Sequence, residues 1–177
     1  MNKVFQPNIT TIQDPTSLPS DIRALATIED TLNYPGRYYS FFMQGAYLSI
    51  CRHRFVELED GTKKLIISQF DAPLAVLPWF VDKFDFFLKM PHEGGLPHGK
   101  IMTDKEQVAT ESLAICRLMN AGNRRGDGGY QINNFSREDR KVPGTFQQIS
   151  FSDSLLFEGG LLALWKSLSD KYLQNAL

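Results

Sequence analysis

Arginine interleaved with aromatic residues is the chemistry this chain offers most densely. From position 37 onward, Arg37, Arg52 and Arg54 stand among Tyr38, Tyr39, Phe41, Phe42, Tyr47 and Phe55, with no carboxylate until Glu57. Guanidinium groups take phosphate oxygens and aromatic rings stack on bases. Stacking contributes ~1–3 kcal/mol per base, and each cation adds salt-dependent affinity. A second stretch, from Arg117 to Lys141, carries six basic residues (Arg117, Arg124, Arg125, Arg137, Arg140, Lys141) against three acidic ones (Asp127, Glu138, Asp139), beside Tyr130 and Phe135. The expected nucleic-acid contacts are Arg37, Tyr39, Arg52, Arg54, Arg117, Arg124, Arg125, Tyr130 and Arg137.

Other chemistries fit less well. His53, His92 and His98 are the three histidines, and the last two sit on a Gly/Pro-rich stretch without the helical spacing of a zinc pair. Cys51 and His53 share a strand parity, which would allow a thiol nucleophile and its base, although a cysteine among apolar strand neighbours ordinarily serves as a small hydrophobe. Residues Gly122 to Gly129 (GNRRGDGG) could cradle a phosphate but lack the Lys-Ser/Thr ending of a P-loop and open into a strand. No metal and no cofactor is expected, and the chain reads as non-enzymatic.

These residues need strands to hold them. Period-two, aromatic-rich segments run over 37–43 and 46–56, an Asp60-Gly61 turn follows, and Lys63 to Phe70 returns. Asp71 would cap a helix with Leu74, Leu77, Val81, Phe84 and Leu88 at helical spacing, bent or delayed by Pro78. Residues 91–110 read as a Gly/Pro linker. Strands resume at 111–119, 129–136 and 145–151, and Asp153 would cap a second helix. Before all this, residues 1–36, with Pro7, Pro15, Pro19 and Pro35, read as an arm with one short helix at Asp21 to Asp30, where Ile22, Leu25 and Ile28 fall on one side.

The order repeats. Ala46-Tyr47-Leu48-Ser49-Ile50 precedes Gly129-Tyr130-Gln131-Ile132-Asn133 by 83 residues, Ile67-Ser68 precedes Ile149-Ser150 by 82, and Asp71 precedes Asp153 by 82. A duplicated unit of antiparallel strand meander plus helix follows, residues 37–90 and 111–173, giving an α+β fold. The second helix, with Leu155, Leu156, Phe157, Leu161, Leu162, Leu164, Trp165 and Leu168, has more apolar surface than one sheet face can cover, which suggests a homo-oligomer.

The doubled order, the segment Lys63 to Leu88, and the run from Gly128-Gly129-Tyr130-Gln131-Ile132 to Gln147-Gln148-Ile149-Ser150-Phe151-Ser152-Asp153 resemble the whirly family of single-stranded DNA-binding proteins. The plan is also similar to that of the positive cofactor four and purine-rich-element-binding proteins. The resemblance implies a whirly-like fold, binding of single strands along sheet edges, and association through helices. The Lys-Gly-Lys-Ala-Ala motif of the plant members is absent, so no contact is carried over from it.

Composition bounds the rest. The 177 residues are 42% hydrophobic and 22% charged, which is a globular and not a disordered profile. No apolar run reaches the ~18 residues of a membrane span, and two cysteines make no disulfide framework. A cytoplasmic protein is expected. The net charge of −1 means that any polyanion site must come from local clustering. Single-stranded nucleic acid, DNA ahead of RNA, is the expected partner, with a protein-interaction module on the same fold as the alternative.

Overall fold

The computed structural model describes residues 5–177 and contains two four-stranded antiparallel sheets, each followed by a helix. The first sheet comprises β1 (Ile22–Glu29), β2 (Arg37–Gln44), β3 (Tyr47–Glu57) and β4 (Lys63–Pro73), in that spatial order, followed by α1 (Val76–Leu88). The second comprises β5 (Glu106–Val108), β6 (Glu111–Leu118), β7 (Gly129–Glu138) and β8 (Phe146–Ser152), followed by a π-helical turn at Ser154–Glu158 and α2 (Leu161–Leu173). The fold is therefore α+β with a duplicated meander-plus-helix unit. Among the described residues, no helix is long and apolar enough to cross a membrane.

The turns form where side-chain chemistry demands them. Between β3 and β4, Asp60 Oδ1 accepts from the Thr62 backbone N–H and hydroxyl at 2.9 and 2.6 Å, and Gly61 takes φ +79°. Glycine is also required at 129. A Cβ there would meet the Phe151 carbonyl oxygen at 2.1 Å, so β7 can approach β8 this closely only without a side chain.

Both sheets and both helices converge on one aromatic core. Trp165 of α2 is fully buried, 4.3 Å from Phe80 of α1, 5.5 Å from Phe41 of β2 and 5.7 Å from Phe151 of β8 between ring centroids. Its indole N–H donates to the Leu77 carbonyl at 3.0 Å. The helix pair thus joins the two units. Leu155, Leu156, Leu161 and Leu168 are buried in the same way, and Leu162 and Leu164 pack against the core. The apolar surface that argued for a partner copy is taken up inside the chain, leaving Phe157 and Leu173 exposed.

Four expectations are corrected. The segment Asp21 to Asp30 is not a helix but the edge strand β1, paired antiparallel with β2 and interrupted by a bulge between Ala24 and Ala26. The bulge resets the strand's alternation. Ile22 consequently packs with Phe42 on one side of the sheet, while Leu25, Ala26 and Ile28 pack toward the main core, so a strand acquires the three-residue spacing of a helix face. The stretch 91–110 is more than a linker, since Glu106–Val108 forms β5, and Thr103 N–H donates to the Ile115 carbonyl and Arg117 N–H to the Ile101 carbonyl along β6. Asp71 caps no helix. It lies within β4, and α1 begins at Val76 with Pro78 in its first turn, where a missing N–H costs nothing. Asp153 likewise makes no side-chain cap; its carboxylate holds Arg117.

Asp71 instead joins the sheets. Its buried carboxylate accepts from Ser49 Oγ (2.7 Å), Gln69 Nε2 (2.8 Å) and Gln147 Nε2 (3.4 Å), and pairs with Arg140 at 2.5 Å. Its backbone N–H donates to Gln147 Oε1, and its carbonyl accepts from Asn134 Nδ2, both at 2.8 Å. The arm crosses this junction as an extended strap. Arg137 Nη1 donates to the Pro7 carbonyl, Arg140 Nη2 to that of Ile9, and Gln44 and Gln69 to that of Thr10. Ile12 then seals a small second core with Ile22, Phe42 and Cys51 on the sheet face away from the helices.

Candidate nucleic-acid interface

The first sheet changes chemistry along its length. On the helix-facing side, strand pairing aligns residues of β2, β3 and β4 into transverse rows. The row Phe41–Ile50–Phe70 is apolar and buried; the next is Tyr39–Arg52–Ser68; the last is Arg37–Arg54–Ile66. One parity of β3 therefore carries Leu48 and Ile50 in the core and then Arg52 and Arg54 beyond it. Past the end of the core, a cleft of about 280 Å³ opens, lined by Tyr34, Arg37, Arg52, His53, Arg54, Ile66, Ile67, Ser68 and Lys141. Four of these side chains are cations and none is a carboxylate.

The cations differ in how far they are neutralised. Arg37 is paired with the buried Asp30 at 2.6 Å and lies 3.8 Å from the Tyr34 ring centroid. Arg52, Arg54 and Lys141 have no carboxylate partner among the described residues; Lys141 Nζ donates to the Ile67 carbonyl at 2.8 Å and so leans across the cleft from the β7–β8 loop. Arg124, exposed in the glycine loop, approaches the same Tyr34 ring at 5.6 Å. Tyr34 itself is fixed by donating its hydroxyl to the Gly122 carbonyl at 2.8 Å. Of the expected contacts, Arg37, Arg52, Arg54 and Arg124 are thus gathered around one cleft and its Tyr34 wall.

The other expected contacts are occupied elsewhere. Tyr39 is 2% exposed, with its ring 5.5 Å from Phe151, and burial pushes its phenol up from the ordinary value. Tyr130 is 6% exposed between Phe84 and Phe87, with its phenol raised for the same reason. Neither ring can stack on a base. Arg137, 1% exposed, is paired with the buried Glu111 at 2.5 Å. Arg117 donates both terminal nitrogens to Asp153 at 2.6 and 2.7 Å, and this bond raises its pKa further. Arg125 pairs with Glu158 at 3.2 Å. The basic stretch 117–141 is therefore mostly a set of structural ion pairs.

Of the cleft residues outside the expected set, Tyr34, Lys141 and His53 carry ring or charge chemistry, beside Ile66, Ile67 and Ser68. Tyr34 sits in a Tyr-Pro-Gly turn immediately before the arginine-bearing β2, and that adjacency was its signal. Lys141 was counted in the second basic stretch, but only the sheet-to-sheet contact brings its loop against β4. His53 lies two residues from Cys51. Burial lowers its pKa, its Nε2 meets Ser40 Oγ at 2.9 Å, and its ring stacks 5.6 Å from Tyr38. Phe55, 57% exposed, lies outside the lining of the cleft and on the opposite parity of β3 from Arg52 and Arg54.

The thiol chemistry finds no support in this geometry. Cys51 is fully buried, and burial pushes its pKa up to about 12, which suppresses the thiolate that a nucleophile requires. Among the described residues, no three His, Cys, Asp or Glu side chains converge as metal ligands would. Compared with family models, with curated proteins and with solved structures, the chain matches none.

Proposed function

We propose that the protein binds single-stranded nucleic acid, DNA in the first instance, at the arginine end of the first sheet. The observation that carries this reading is the cleft whose lining includes Arg37, Arg52, Arg54 and Lys141 and no carboxylate. In a chain of net charge −1, this concentration of cations, of which only Arg37 has a carboxylate partner among the described residues, favours a polyanion locally. Arg124 and Tyr34 extend the track to one side. The doubled four-strand-plus-helix order agrees with the resemblance to the whirly family, and we read the chain as a cytoplasmic relative in plan.

Binding would proceed by phosphate contacts to Arg52, Arg54, Lys141 and Arg124, with Arg37 weakened by Asp30. The test is fluorescence anisotropy of labelled single-stranded DNA, its duplex and an RNA counterpart, at low and moderate salt. Salt-sensitive binding that prefers the single strand supports the reading. No binding of any oligonucleotide at low salt overturns it and turns attention to a protein partner.

A further inference from the structure

Next to the arginine cleft lies a second groove of about 260 Å³, between the sheets, lined by Arg52, Ser68, Gln69 and Phe70 of the first unit, by Gln131, Gln148, Ile149 and Ser150 of the second, and by the loop residues Asp139, Lys141 and Val142. The two share Arg52, Ser68 and Lys141, so the cleft and the groove are contiguous and one strand can run from one into the other. The linings differ in kind. The cleft is cationic, whereas the groove adds carboxamides, hydroxyls and one carboxylate.

We infer that this groove reads a guanine base, an assignment that rests on the single-strand reading above and goes beyond it. Guanine is the base that presents two acceptors, O6 and N7, on one edge and adjacent N–H donors at N1 and N2 on another. Arg52, which lines both the cleft and the groove, has five guanidinium N–H donors, enough to serve a phosphate in the cleft and the acceptor edge in the groove. Asp139 supplies an acceptor for the donor edge: its Oδ1 takes the backbone N–H groups of Lys141 and Val142 at 2.8 and 2.9 Å, and its Oδ2 has no hydrogen-bond partner among the described residues. Gln131 spends its Nε2 on Asn133 Oδ1 (2.7 Å) and Gln148 Oε1 (3.1 Å), which leaves the Gln148 amide N–H pair available as a further donor. Thymine offers a single ring N–H, and cytosine and adenine only an amino group, so none of the three presents two adjacent donors to the carboxylate.

The experiment compares anisotropy of an oligothymidine with the same oligomer carrying one central guanine, adenine or cytosine, for the native protein, Asp139→Asn and Arg54→Ala. The asparagine keeps an oxygen for the two loop N–H groups and replaces the free oxygen by a donor. A guanine preference of roughly tenfold in the native protein is expected, lost in Asp139→Asn without loss of affinity for plain oligothymidine, and retained in Arg54→Ala, which weakens all four oligomers alike. Near-uniform binding of the four oligomers would overturn the base assignment and leave the single-strand reading standing. A preference that survives Asp139→Asn would overturn the role of the carboxylate. Failure of all four to bind would overturn the single-strand reading itself. Free guanosine monophosphate is the competitor that separates sources. It is expected to displace the oligomer only weakly, and displacement at equal potency would overturn a strand as the occupant.

Discussion

Replacing Arg54 by alanine should change how binding responds to salt as well as how tight it is. Four cations around the cleft, Arg52, Arg54, Lys141 and Arg124, have no carboxylate partner among the described residues, while Arg37 is offset by Asp30. With about four phosphates neutralised on a single strand, log K against log salt should have a slope near −2.8, or about a fiftyfold loss of affinity between 50 and 200 mM salt. Arg54→Ala leaves about three, a slope near −2.1 and a loss of about eighteenfold over the same interval. The variant is therefore weaker at low salt but closes on the native protein by a factor of nearly three as salt rises. Arg54 is exposed on the last row of the sheet, so its removal leaves the fold untouched. Anisotropy titrations at five salt concentrations read both slopes. Parallel salt lines for the two proteins would refute the placement of phosphate at Arg54, whatever the change in absolute affinity.

Four further expectations concern the frame that holds this surface. Asp71→Ala strips Arg140 of its buried counter-charge and should cost about 3–5 kcal/mol in urea unfolding, with Asp71→Asn costing less; equal stability of native protein and the alanine variant would contradict the junction described here. Trp165→Ala empties the centre of the aromatic core and should cost about 3–5 kcal/mol, read by thermal or urea melts. In the folded protein at pH 8, iodoacetamide should label the partly exposed Cys116 and spare Cys51, and removal of residues 1–12 should open Cys51 to labelling, as mass spectrometry of the peptides will show. The same burial ties Cys51 to alkaline stability. Its folded pKa stands above the unfolded one, so its contribution is complete below the ordinary thiol value of 9.0 and declines as pH rises toward about 12.

Six of the eight strands were legible because their residues alternate. The stretches read as 37–43, 46–56, 63–70, 111–119, 129–136 and 145–151 correspond to β2, β3, β4, β6, β7 and β8 within a few residues. The first strand of each sheet was not. A bulge made β1 mimic a helix, and β5, three residues long, is too short to express any period. The duplication was visible at β3 and β7, whose first residues lie 82 apart, but Asp71 and Asp153 are not equivalents. Ser49 pairs with Asp71, whereas Gln131, 82 residues later, pairs with Ser150, so the second hairpin runs in a register shifted by three.

The sequence by itself determined the local elements, the doubled order and the placement of Arg37, Arg52 and Arg54 on neighbouring strands, because these depend on periodicity and on hairpins that close over short distances. Only the tertiary structure decided which cations remain free. Arg117, Arg125 and Arg137 find Asp153, Glu158 and Glu111 across 36, 33 and 26 residues of chain, while Lys141 is carried against β4 from the other sheet. Tyr39 and Tyr130 were likewise resolved by packing. Alternation assigns a tyrosine to a face, but whether that face meets water depends on where the helices and the opposite sheet come to rest, and that is set by contacts between residues far apart in the chain.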